Sequence, residues 1–258
     1  MARDPKQFIE KNVRKTIEEF QQRPGVITKY GEPLIGYVSM FHPLFDHLYI
    51  EGMCEHPKKI YNPGHTIIVH YVPVVNDAAA ELQAKGRDSH TWERAHYDSI
   101  MLSQYINKAI RDSLVKLGRL YSIPGVATEW NRQTHMPKWN SKIVAYLAGM
   151  GEIGPAGSFH TEHGFAGSLG STMTDGFYAE EVPEMTMEEI EAEVKKIKAM
   201  YRFEPSDDAV CSEEMIRICP GNAIDGKGID REKCLAYCES QNSKIPDPGL
   251  CGMCFRFK

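Results

Sequence analysis

The chain has 258 residues, 42% hydrophobic and 25% charged, a composition that excludes a disordered or collagen-like polypeptide and suits one large domain, or a main domain with a small appendage. A formal net charge of −5 and a pI near 6.1 give no basic surface in aggregate, which argues against nucleic acid as a partner. No apolar run of about 18 residues occurs, so no membrane partner is expected; the opening residues carry charges throughout and do not read as a secretory leader, which implies a reducing, cytoplasmic setting.

Residues 5–22 place Phe8, Ile9, Val13, Ile17 and Phe20 at helical spacing, and Arg23-Pro24-Gly25 ends that helix. Ile35–Ser39 reads as a strand, and Thr66–Val75 as a buried central one because of its β-branched run. Between Asp88 and Gly118 the pattern predicts a long helix with Ile100, Met101, Tyr105, Ile106, Ala109, Ile110, Leu114 and Leu117 on its apolar face. A helix at Trp139–Leu147, a strand at Leu169–Met173 and a charged helix at Met187–Met200 follow. Strands alternating with helices indicate an α/β or α+β layered domain over residues 1–204, with residues 205–258 as a separate unit. Gly149–Gly170 is rich in glycine and reads as a candidate binding loop, although it matches neither the dinucleotide nor the phosphate-loop pattern.

Six of the 7 cysteines, Cys211, Cys219, Cys234, Cys238, Cys251 and Cys254, lie in the tail, and only Cys54 lies elsewhere. A chain this long needs no covalent staples, and clustered thiols in a reducing compartment more often bind metal than pair. Cys219-Pro220-Gly221-Asn222-Ala223-Ile224 has the C-P-x-x-A-I form that follows the last ligand of a bacterial ferredoxin motif. Counting back along C-x2-C-x2-C-x3-C-P, the other ligand positions hold Met215, Ser212 and Ala209. Cys219 with Cys234, Cys251 and Cys254 then supplies four ligands, enough for one [4Fe–4S] cluster. Structural zinc, a disulfide and buried free thiols compete with this; the spacing lacks the two short pairs usual for zinc. Cys211 and Cys238 fall outside the ligand set, and Cys54 reads as a small buried residue.

Taken together, the glycine block and the tail resemble the corrinoid-dependent iron–sulfur reductases, that is, reductive dehalogenases and epoxyqueuosine reductase. The likeness rests on Ala148–Asp175, on His56-Pro57 and Asn62-Pro63-Gly64 ahead of the central strand, and on Lys233-Cys234-Leu235-Ala236-Tyr237. It implies a nitroreductase-like domain that binds cobalamin with its lower base displaced, followed by a ferredoxin-like domain. This chain would hold one cluster instead of the family's two, since Lys258 stands where the final cysteine would be. The cofactor contacts would fall on Gly149, Gly151, Glu152, Gly154, Gly157, His160, His163, Gly164 and Gly170. His96-Tyr97-Asp98 stands in the place of the family's Asp-Tyr-His triplet, so Tyr97, His96 and, further on, His135 become the proton-donor candidates. Pro155 replaces the basic residue of dehalogenases, which argues against dehalogenation. The implied activity is reduction of a small organic molecule by a cobalamin that a ferredoxin or flavodoxin recharges through the cluster. The alternative is a corrinoid-reducing partner protein with no substrate of its own. A homodimer is also expected, because such folds often pair.

Overall fold

In the computed structural model, residues 4–85, 89–124, 130–131, 136–154, 157–180, 182–201, 212–226, 228–240 and 251–256 are described. Asp4 accepts the backbone N–H of Lys6 and caps α1 (Pro5–Gln21), whose first position is a proline. There follow β1 (Leu34–Ser39), α2 (Leu44–Ile50), α3 (Pro57–Ile60), β2 (Thr66–Pro73), α4 (Ala78–Lys85) and the long α5 (His90–Lys116). Three two-residue strands come next, β3 (Tyr121–Ser122), β4 (Trp130–Asn131) and β5 (Met136–Pro137), and then α6 (Ser141–Leu147). The glycine block contributes β6 (Glu152–Ile153), β7 (Phe159–His160) and β8 (Gly167–Thr174), and α7 (Met187–Tyr201) follows. The tail holds α8 (Glu213–Ile218), β9 (Ile224–Asp225), β10 (Gly228–Ile229), α9 (Arg231–Ser240) and a 3-10 turn at Met253–Arg256.

The main sheet has the order β1-β2-β8-β3 and is antiparallel throughout, with Leu34 opposite Tyr71, Thr66 opposite Thr174 and Tyr121 opposite Thr174. The architecture is therefore mixed α and β, with helices covering both faces of the sheet. Ile68 and Val72 face a layer built from α1, α4 and α5; Ile67, Val69 and Tyr71 face α2, α6 and α7. Burial on both sides explains why every residue of β2 is buried and why its sequence is apolar without alternation.

Two details depart from the periodicity. Met101 is 46% exposed, and the buried stripe of α5 runs instead through Trp92, Ala95, Leu102, Ile106, Ile110 and Leu114, interrupted by the buried polar residues Asp98, Ser99, Asn107 and Ser113. Those polar groups have partners across the interface. Ser103 Oγ donates to Leu169 O at 2.9 Å, Ser168 Oγ to Ser99 O at 2.7 Å, and Thr172 Oγ1 to Asn107 Oδ1 at 3.3 Å. The second departure is that β8 starts at Gly167, two residues earlier than predicted, because Gly167 lies against the Tyr71 ring where a larger residue would collide.

Candidate functional site

The glycine block is an ordered succession of turns and short strands. Asn140 caps α6 through bonds from Lys142 and Ile143, and the helix closes on Gly149, whose φ of +68 is the left-handed conformation that ends helices. β6 and β7 then pair as a hairpin, Glu152 opposite His160 and Ile153 opposite Phe159. A tight turn over residues 161–164 follows, with Thr161 N–H donating to Gly164 O at 3.0 Å and Gly164 N–H returning to Thr161 O at 3.1 Å. Tyr71 Oη donates to that same Gly164 carbonyl at 3.2 Å, and Lys142 Nζ holds Gly157 O.

Most of the predicted cofactor contacts have partners within the protein. A β-carbon on Gly154 would fall 2.6 Å from His160 Nε2, one on Gly151 would strike His160 O, and one on Gly170 would meet Ser103 and His70 between β8 and α5. His160 is 4% exposed, with Nε2 2.7 Å from Ser158 Oγ. His163 and Glu152 are exposed, and His163 pairs with the adjacent Glu162 at 3.3 Å. Gly149 and Gly151 border a cleft of about 530 Å³ at the β1 edge of the sheet, together with Glu10, Arg14, Leu34, Ile35, Met150 and Glu162. That size is typical of a ligand pocket. The sequence pattern gave no sign that α1 and β1 would form its opposite wall. Arg14 is held there by Glu10 at 3.6 Å and Glu32 at 3.2 Å.

His96 and Tyr97 lie half-buried on α5 with ring centroids 6.1 Å apart, and neither is among the described residues lining the cleft. Their neighbour Asp98 is buried and fully engaged: it accepts from Thr28 Oγ1 at 2.6 Å and pairs with Arg94 Nε at 3.0 Å. His135 lies outside the described residues, as do Pro155, Cys211, Ala209 and Lys258.

The structure brings together the thiols of the tail. Cys219 follows α8, Cys234 lies on α9, and Cys251 and Cys254 flank the start of the 3-10 turn; none of the described cysteines is in a disulfide. Cys219 and Cys254 pack on one small apolar nucleus of Met215 and Ile224. The Ala223 N–H donates to Cys219 Sγ at 3.2 Å. Burial pushes the Cys254 thiol up to about 12, and the neighbouring Cys251, Cys234 and Cys219 push it in the same direction. Cys234 is also pushed up, first by its hydrogen bond with Cys238 and then by burial. Among the described residues no three His, Cys, Asp or Glu groups are close enough to hold a single metal ion. Ser212 and Met215, standing where a second cluster's ligands would be, have other work: Ser212 caps α8 through the Met215 N–H at 3.2 Å, and Met215 is 2% exposed. Cys54 is buried in the main core, and burial pushes its thiol up to about 12.

Fold and site together define a mixed α/β protein with a cleft beside its glycine block and a four-thiol group in its tail. No family model and no curated protein matches the chain. Among solved structures it is similar to epoxyqueuosine reductase from Bacillus subtilis, at TM-score 0.47 and 15% identity over 95% of this chain and 60% of that one. It is also similar to epoxyqueuosine reductase from Streptococcus thermophilus, at TM-score 0.45 and 17% identity over 92% and 60%. A third is an epoxyqueuosine reductase solved with a tRNA-Tyr epoxyqueuosine-modified tRNA stem loop, at TM-score 0.46 and 15% identity. The chain thus spans 60% of the length of these oxidoreductases. That third structure corrects one expectation. The absence of nucleic acid was expected from net charge and a small-molecule substrate from the resemblance, but a neighbour of this chain is bound to RNA, and net charge sums over a surface without describing any one patch of it. Among the described residues no helix is long and apolar enough to cross a membrane.

Proposed function

We propose that the chain is an iron–sulfur reductase in which one [4Fe–4S] cluster, held by Cys219, Cys234, Cys251 and Cys254, delivers electrons to a base-off cobalamin at the cleft beside Gly149 and Gly151. The observation that carries this reading is that Cys219 and Cys254, from two separate tail segments, pack on one apolar nucleus, while Cys234 and Cys251 lie near enough to act on the Cys254 thiol. The donor set fits the group, since four soft thiolates satisfy a cubane and the Ala223 N–H stabilises negative charge on Cys219. A bound cluster would supply one-electron transfer at low potential. At about 530 Å³ the cleft would hold one edge of a corrinoid and not the whole cofactor: Leu34, Ile35 and Met150 are apolar, Gly149 and Gly151 present bare backbone, and Glu10, Arg14 and Glu162 give polar groups at the rim. A bound cobalamin would supply a strongly reducing metal centre there. His160 and Ser158 brace the hairpin between Gly151 and Glu162, and the Tyr71 hydroxyl holds the turn that carries Glu162. Tyr97 and His96 do not line the cleft, so in this reading they would hold a proton for a ligand that extends beyond it toward α5, with His135 as the third candidate.

A second reading, a corrinoid-reducing partner with no substrate of its own, is favoured by one observation. Asp98 is committed to Thr28 and Arg94, so the carboxylate of the His96-Tyr97-Asp98 triplet is not available to relay a proton to Tyr97. Anaerobic purification with iron, sulfide, cobalt and zinc quantified tests both readings: about four irons per chain with one cobalt is expected, and zinc without cobalt would overturn them. The two part on Tyr97→Phe. For a reductase acting on the modified tRNA stem loop bound by the neighbouring enzyme, this variant keeps its cluster and its cobalt reduction but loses turnover. For the partner protein, no turnover is found even in the unaltered chain.

A further inference from the structure

Trp92 lies in the first turn of α5, buried, with its backbone N–H bound to the Ser89 hydroxyl at 3.0 Å. Gly252, between Cys251 and Cys254, comes against its indole. A β-carbon on Gly252 would stand 2.5 Å from Cζ2, 2.6 Å from Cε2 and 2.7 Å from Nε1 of Trp92. Met253, the next residue, packs on the same apolar cluster as Trp92. The Trp92 ring also lies 5.8 Å from Phe165 at an interplanar angle of 47°, and Phe165 lies 5.8 Å from His160 at 49°. One side chain therefore touches both the cysteine turn and the glycine block.

We propose that Trp92 is a positioning residue: its indole seats the Cys251–Cys254 turn and fixes where that turn stands relative to the glycine block. The inference rests on the reading of Cys251 and Cys254 as cluster ligands. Two thiols in a short turn do not by themselves hold a cluster at a set distance from an acceptor. A broad rigid ring buries much surface at little cost in side-chain freedom, and a glycine opposite lets the backbone come into contact with it. The φ of +59 at Gly252 is the left-handed conformation, and it turns the chain between Cys251 and Cys254 where the backbone meets the ring.

The test uses the full chain with Gly252→Ala, Trp92→Leu and the two combined. In the metal-free protein, Gly252→Ala and Trp92→Leu are each expected to lose amide-exchange protection over residues 251–254 on the order of tenfold, and the double variant to lose little more than either alone. Alanine's strain at positive φ is the same in the single and the double variant, so the shortfall from additivity isolates the contact with the ring. Purely additive effects, or full protection in Gly252→Ala, would overturn the proposal. In the reconstituted protein, Trp92→Leu is expected to keep its iron while the cluster's midpoint potential moves positive, because water admitted beside the thiolates favours the more negatively charged reduced form. Trp92→Phe is expected to stay near the unaltered value and guards against a Leu variant that does not fold. An unchanged potential in Trp92→Leu at full iron content would overturn the seat. Failure of the unaltered chain to take up iron would instead overturn the cluster reading, with the exchange measurement still deciding on Trp92.

Discussion

At the scale of single residues, the most consequential groups are polar ones buried for structural reasons. Asp98 ties α5 to the segment after α1, and removing it strands the Thr28 hydroxyl and leaves Arg94 with one partner fewer. Asp98→Ala is expected to cost roughly 2 to 4 kcal/mol in urea unfolding. His70 projects from β2 toward Gly170 of β8 and Asn107 of α5, with Nε2 3.2 Å from Asn107 Oδ1 and Nδ1 without a partner among the described residues, and burial lowers its pKa from 6.5 to about 4. Between those values the unfolded chain binds a proton that the folded chain does not. The stability is thus fully present above pH 6.5 and is lost as pH falls toward 4, by roughly 3 kcal/mol over the window. Urea midpoints measured from pH 7 to pH 4.5 should decline, and His70→Gln should flatten the decline. Neither role was legible in the sequence. Asp98 stands beside Tyr97 in a motif and draws attention for chemistry, while its real partner Thr28 is 70 positions away.

At the scale of elements, helices and strands were legible wherever burial leaves a clear pattern, as in the helical period of α1 and the unbroken apolar run of β2, and less so where polar contacts replace apolar ones. The face of α5 that meets β8 is lined by Ser99, Ser103 and Asn107, which a hydrophobic pattern reads as solvent-facing. The glycine block appeared to be one loop because β6, β7 and the turn between β7 and β8 are too short to show a period; their glycines answer to His160, Ser103 and His70 packed against them. Two substitutions test these elements. Ser89→Ala removes the cap of α5 and should cost about 1 kcal/mol in thermal unfolding. Met215→Ala empties the tail's nucleus and should cost roughly 2 to 5 kcal/mol of local stability, read as faster amide exchange over α8.

At the scale of the whole molecule, the cysteine tail is the part for which the sequence raised the most specific expectation, because C-P-x-x-A-I beside clustered thiols points to few chemistries. What it did not reveal is how the tail meets the main body, since Trp92 and Gly252 are linked only by folding. Nor could the sum of charges speak for a local surface, which is where the expectation about nucleic acid went astray. The account depends most on the identity of the ligands. Its most direct test is the iron and acid-labile sulfide content of the anaerobically reconstituted chain beside Cys219→Ser, Cys234→Ser, Cys251→Ser, Cys254→Ser and Cys238→Ser. The account predicts about four irons and four sulfides for the unaltered chain, loss in each of the first four variants, and retention in Cys238→Ser. Zinc in place of iron, or full iron in any of the four, would contradict it.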